Sequence, residues 1–230
     1  MAEIMLPDFD KEYLKKLYDE AKAKWEEAEY HEIKPEVCDI TYMRSMHRAQ
    51  YAMQCGLSNV YKLRTYKIKE QLTLRKNSKN YSVLYRRDGK LVQTDLYSDG
   101  KKYFEFFQML YEDNKRYCLP FCCFDGKTVQ KHSIGNIYVT VFDGDFVTEE
   151  YEIAGNTIIY ERYTRTSDKN KVDYYCIHYQ PNSDDADGGG TRGLRAVYEG
   201  YIMLDSKKPE FYRTGGWSWY EEYYLPTYKK

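Results

Sequence analysis

The residues able to do chemistry are few and scattered. There are four histidines, His31, His47, His132 and His178, and six cysteines, Cys38, Cys55, Cys118, Cys122, Cys123 and Cys176. Cys118, Cys122 and Cys123 have part of the spacing of a zinc knuckle, but structural zinc sites pair two knuckles and the chain has no second one. Neighbouring residues of a strand also point to opposite faces, which separates Cys122 from Cys123. Cys176 and His178 would share one strand face, about 7 Å apart along it, too far to exchange a proton directly. In the stretch 181–193, setting Asp187-Gly188 on the turn of an EF-hand loop leaves Ser183 and Leu194 at the first and last ligand positions, so the bidentate carboxylate is missing. The glycines 188–190 and 193 lack the Lys-Ser/Thr and the strand-to-helix context of a phosphate loop, and HExxH and GxSxG are absent. Glu149-Glu150 and Glu221-Glu222 alternate across a strand. These patterns predict no catalytic residue, no metal and no cofactor.

Charge and aromatic patterning say more. The formal net charge is only -1, yet residues 62–90 hold ten basic side chains, Lys62, Arg64, Lys67, Lys69, Arg75, Lys76, Lys79, Arg86, Arg87 and Lys90, against Glu70 and Asp88. Tyr61, Tyr66, Tyr81 and Tyr85 are interleaved with them. Cations among stackable rings on a sheet hold single-stranded nucleic acid; lysines along an edge strand equally guard a sheet against pairing with other chains. A pI near 6.5 falls short of the usual basic footprint of a nucleic-acid binder. The second candidate surface is C-terminal. Trp217, Trp219 and Tyr223 would share one strand face and Tyr220 and Tyr224 the other, and exposed Trp and Tyr are favoured anchors for protein partners.

The elements that must position these groups follow from periodicity. Leu14, Leu17, Ala21, Trp25 and Ala28 fall on one face of a 3.6-residue helix behind Asp8 or Asp10 as cap. A second helix is predicted over 40–55, capped by Asp39 and closed by Gly56, with Met43, Met46, Ala49, Gln50 and Met53 on one face. Beyond residue 60 the period becomes two, and Asp-Gly pairs at 88–89, 99–100, 125–126 and 143–144 mark hairpins. Eleven strands are predicted: 66–74, 81–86, 91–97, 103–110, 117–124, 137–142, 146–153, 157–163, 172–179, 194–204 and 217–224. The core must draw on the 27 tyrosines, because Leu, Ile, Val and Phe together supply about a fifth of the chain, near the level of disordered sequences.

The expected fold is therefore α+β: two N-terminal helices (1–60) packed on a large curved antiparallel β-meander (61–230), as a half-barrel or an up-and-down barrel. Gly215-Gly216-Trp217 resembles the Gly-x-Trp element of lipocalin-type barrels in outline, but stands near the C-terminus rather than on the first strand, so no binding residue is carried over. No apolar run reaches membrane-spanning length, and the N-terminus has no signal-peptide pattern. With cysteines irregularly spaced, reduced thiols and a cytoplasmic location are expected. The function expected is non-enzymatic binding of a macromolecule, most simply another protein, in an inhibitor, immunity or adaptor role. The alternatives are a barrel carrier of a small ligand and a single-stranded nucleic-acid binder.

Overall fold

A computed structural model describes residues 9–44, 53–54, 56, 69–125, 127–133, 135–181, 193–204 and 210–218. The first element is the predicted helix, α1 (Lys11–Glu27). Asp10 caps it, its carboxylate accepting from the Tyr13 N–H at 2.8 Å, which satisfies one of the otherwise orphaned first-turn donors. Thirteen strands follow: β1 (Asp39–Arg44), β2 (Glu70–Gln71), β3 (Tyr81–Arg87), β4 (Lys90–Ser98), β5 (Lys101–Glu112), β6 (Lys115–Cys122), β7 (Gln130–Lys131), β8 (Ile137–Asp143), β9 (Phe146–Ala154), β10 (Thr157–Arg165), β11 (Lys171–Tyr179), β12 (Leu194–Met203) and β13 (Glu210–Ser218). All pairings are antiparallel, and from β3 to β6 and β8 to β13 each strand pairs with its sequence neighbour. Short turns enforce this. Asp88 and Gly89 (φ 51° and 75°) and Asp99 and Gly100 (φ 51° and 76°) both lie in the left-handed region, the geometry of two-residue turns whose twist matches the strands they join.

Three expectations are corrected. The residues 39–44 form β1 rather than the first turn of a second helix. Asp39, read as a cap, pairs with Arg86 of β3, and Met43 pairs with Ser82; Ile40, Thr41 and Tyr42 are β-formers, and burial of Met43 at 1% exposure rewards the strand. Met46, Ala49 and Gln50 lie outside the described residues. The sheet is also open, not a barrel. Its order runs β13-β12-β11-β10-β9-β8-β6-β5-β4-β3-β1-β2, with β7 beside β6. Closure would need β13, nine residues long, to pair with β2, two residues long. Finally, in the described part of the strand expected at 66–74 only β2 forms, and the strand expected at 217–224 overlaps β13 only at 217–218; 66–68 and 219–224 lie outside the described residues.

Both faces of the sheet carry apolar cores. On one, here the helix face, Leu14, Leu17, Tyr18 and Ala21 pack on Val139, Tyr151, Ile153, Ile158 and Ile177. Hydrogen bonds stitch α1 down: Tyr18 Oη donates to the Gly155 carbonyl at 3.0 Å, Trp25 Nε1 to the Pro120 carbonyl at 3.2 Å, and Lys24 pairs with Glu112 at 2.7 Å. The far face holds two clusters, one around Met43, Met53, Leu84 and Phe107, the other around Tyr163, Val172, Cys176 and Ile202. Tyrosine does act as core material: Tyr151 is 1% and Tyr163 2% exposed. No helix among the described residues is long and apolar enough to cross a membrane.

The β6–β7 connection is tied by Asp125, whose Oδ1 accepts from the Lys127 and Thr128 backbone N–H groups at 2.9 and 2.7 Å. These bonds favour the charged form and lower its pKa to about 2. The stabilisation is present above the ordinary carboxylate value and lost as pH falls through about 2. An NMR titration of the Asp125 carboxyl carbon is expected to show that midpoint; a midpoint in the ordinary carboxylate range would refute the turn.

Candidate binding surface

The helix face of β10–β13 carries a ladder of cations and rings. One rung reads Glu149, Arg162, Tyr175, Glu199, Gly215, and the next Thr164, Asp173, Tyr201, Tyr212, each residue opposite the next across adjacent strands. Arg162, Thr164, Asp173 and Glu199 are exposed; Tyr175, Tyr201 and Tyr212 are half-buried. The Arg162 guanidinium lies 5.1 Å from the Tyr175 ring centroid and Lys171 Nζ 4.6 Å from that of Tyr201. Tyr201 and Tyr212 stack at 4.9 Å with 13° between planes. Burial pushes the Tyr175 hydroxyl pKa up, with Arg162 pulling against it. Arg162, Lys171, Tyr175 and Tyr201 border a groove of about 310 Å³. Alternating charge and cross-strand aromatic pairs also stabilise a solvated sheet face in their own right. What the arrangement adds is a set of flat, pre-ordered Arg and Tyr surfaces that lose little entropy when a partner covers them.

The sequence singled out other residues, and the structure distributes them unevenly. Trp217 stands in β13 at the register position opposite Val197. Trp219, Tyr220, Tyr223 and Tyr224 lie outside the described residues, as do Lys62, Arg64 and Lys67. Lys69, Arg75, Lys76, Lys79 and Arg87 are exposed around the β1–β3 end of the sheet. Arg86 is committed there: it pairs with Glu70 at 2.7 Å and donates to Thr41 Oγ1 at 2.9 Å, so that three strands, β1, β2 and β3, are tied through its guanidinium. Lys79 reaches Asp99 at 3.4 Å. The rings interleaved with these cations are occupied too. Tyr81 stacks on Tyr97 at 4.6 Å, and buried Tyr85 donates to Asp95 at 3.2 Å.

Two groupings of buried polar residues were hidden in the sequence. Cys122 sits directly opposite Glu105, and His132 Nδ1 is 3.0 Å from Glu105 Oε1. The residue types suit a thiol nucleophile, but burial raises the Cys122 pKa, and the thiolate is the reactive form. Among the described residues no group of three or more His, Cys, Asp or Glu is arranged to hold a metal ion. The second grouping is a rung of the far face, Arg116, Thr140, Glu150 and Glu161, on β6, β8, β9 and β10. Arg116 donates to Thr140 Oγ1 at 3.5 Å and to the Met53 carbonyl. Thr140 donates to Glu150 at 3.1 Å, and Glu150 accepts from the Gly56 N–H at 2.9 Å. Glu161 accepts from Tyr174 Oη at 3.0 Å and from Tyr163 Oη. With Arg116 5% and Glu150 2% exposed, this rung is a clamp that seats residues 53 and 56 on the sheet.

No family model matches this chain. No curated protein and no solved structure matches it either. The ladder, exposed and built from residue types that anchor partners, is thus the surface on which a functional reading rests.

Proposed function

We propose that this protein is a non-enzymatic binding protein whose partner is another protein, engaged through the Arg162–Tyr175 and Lys171–Tyr201–Tyr212 ladder on the helix face of β10–β13. The observation that carries this reading is the exposure of Arg162 over half-buried Tyr175, with the stacked pair Tyr201–Tyr212 in the next rung. Arg and Tyr dominate interface hot spots, and stacking sets them before the partner arrives. The carboxylates Glu199 and Asp173 within the same ladder favour a partner surface of mixed charge over a polyanion. An inhibitor, immunity or adaptor role in the cytoplasm is consistent with such a surface.

The test is site-specific photo-crosslinking in the cells that make the protein, with the photoreactive residue at Tyr201 or, as control, at Leu72, which is 84% exposed and distant along the sheet. A discrete protein adduct from position 201 but not 72, with about tenfold weaker binding of the purified partner by Arg162→Glu at unchanged melting temperature, is the expected result. Adducts equal at both positions, or adducts to nucleic acid with steeply salt-dependent affinity, would overturn it.

A further inference from the structure

The chain leaving α1 crosses the sheet as an extended strap, residues 28–34, held at two points. The Tyr30 ring packs edge-on to Phe106 at 5.3 Å and beside Phe121 at 5.7 Å. Next to it the buried Gln108 amide grips the backbone of His31 from both sides, donating to its carbonyl at 2.5 Å and accepting from its N–H at 3.0 Å. These fixings hold the strap off the sheet rather than letting it collapse. Beside them lies a pocket of about 470 Å³, walled by Ala28 and Ile33 of the strap and floored by Val92, Leu110, Leu119 and Phe121 of β4–β6. That volume lies within the range of small-molecule sites. The polar groups at the mouth include Lys24, Glu27 and Glu29. Lys24 is already committed to Glu112 at 2.7 Å, which leaves the exposed Glu27 and Glu29 carboxylates as a surplus of negative charge over an apolar floor.

We infer that this pocket binds a small organic cation: an aromatic or branched aliphatic body in the cavity, with an ammonium group at the Glu27–Glu29 mouth. The site stands apart from the ladder, which lies at the other end of the sheet order, and its occupancy is independent of the partner proposed there. A neutral ligand of equal size would gain the apolar contact but not the charge pairing; an acid would meet repulsion.

The test is isothermal titration of the full chain at pH 7.5 with three probes of one shape: 1-naphthylmethylamine, 1-naphthylmethanol and 1-naphthoate. One-to-one binding of the amine, about fivefold tighter than the alcohol as expected for exposed ion pairs, with the acid weakest, is the predicted order. The double variant Glu27→Gln, Glu29→Gln, altered only at exposed positions, is expected to equalise amine and alcohol while leaving the alcohol's affinity in place. Ala28→Phe, which fills the cavity from the strap side, is expected to abolish both; should it unfold, Val92→Phe fills the cavity from the floor. No heat with the amine at millimolar concentration, equal binding of all three probes to the unaltered protein, or amine binding that survives a folded cavity-filling variant would each overturn the inference.

Discussion

Arg116→Met is expected to destabilise the protein by about 3–5 kcal/mol, read as a shift in the urea midpoint at constant slope. The side chain is 5% exposed on the far face, and its charge is linked to Glu150 through the Thr140 hydroxyl. Removing it takes a buried cation from the rung it shares with Glu150, 2% exposed, and takes the Arg116 donor from the Met53 carbonyl. Methionine preserves the unbranched volume, so the loss reports electrostatics more than packing. The companion measurement is the double variant Arg116→Met, Glu150→Gln. Glutamine keeps a carbonyl oxygen for the Gly56 N–H and turns its NH2 to Thr140, whose hydroxyl can rotate to accept it, but carries no charge. It is therefore expected to recover more than half of the loss, a coupling that independent sites would not show. Strict additivity of the two changes would sink the clamp interpretation.

Gly200→Ala is expected to loosen β13 with little effect on the strands beyond it. A Cβ at residue 200 would lie 2.0 Å from the Tyr212 carbonyl oxygen and 3.1 Å from the Arg213 Cα. These are backbone atoms of the neighbouring strand, which no rotamer change can move. The pairing has an irregularity between Glu199 and Gly200, and glycine fills it because the two chains approach too closely for any side chain. Overpacking of this kind costs about 1–3 kcal/mol. Because β13 ends the sheet order, the strain is released by local opening. Hydrogen exchange of the β13 amides is expected to accelerate roughly ten- to hundredfold, while β8–β10 amides keep their protection. Uniform acceleration across the sheet, or none, would contradict this.

Sequence patterning captured what local chemistry decides. The Asp-Gly hairpins at 88–89 and 99–100 form as read, α1 starts at Asp10, one of its two predicted caps, and the period of two over 172–179 places Val172, Tyr174 and Cys176 in one far-face cluster. It failed where two periods fit the same residues: Ile40 and Met43 suit a helix by spacing and a strand by composition, and pairing with β3 decides. The clamp was illegible for another reason. Glu149-Glu150 looked like carboxylates split by alternation, and so they are, but the partner of each is set by register. The β8–β9 register shifts between Val141 and Phe142. Without that extra residue Thr140 would meet Glu149; with it, Thr140 meets Glu150, and Arg116, Thr140 and Glu150 come into line. The ladder of Arg162, Tyr175, Tyr201 and Tyr212 depends likewise on four strands being in register, whereas the tryptophans of the C-terminal run draw notice by residue type alone.

The long reach of α1 has a kinetic consequence. The bonds from Tyr13 to Glu149 and from Tyr18 to Gly155 span 136 and 137 residues, while most of the sheet joins immediate neighbours. The helix leaves the ribosome well before its docking surface on β9 and β10, which does not exist until residue 155 has followed. At about 5–20 residues per second, Leu14, Leu17 and Ala21 wait on the order of ten seconds with no native surface to cover them. That interval is the window in which a nascent chain of this protein most needs a chaperone, and it closes when the β9–β10 turn emerges.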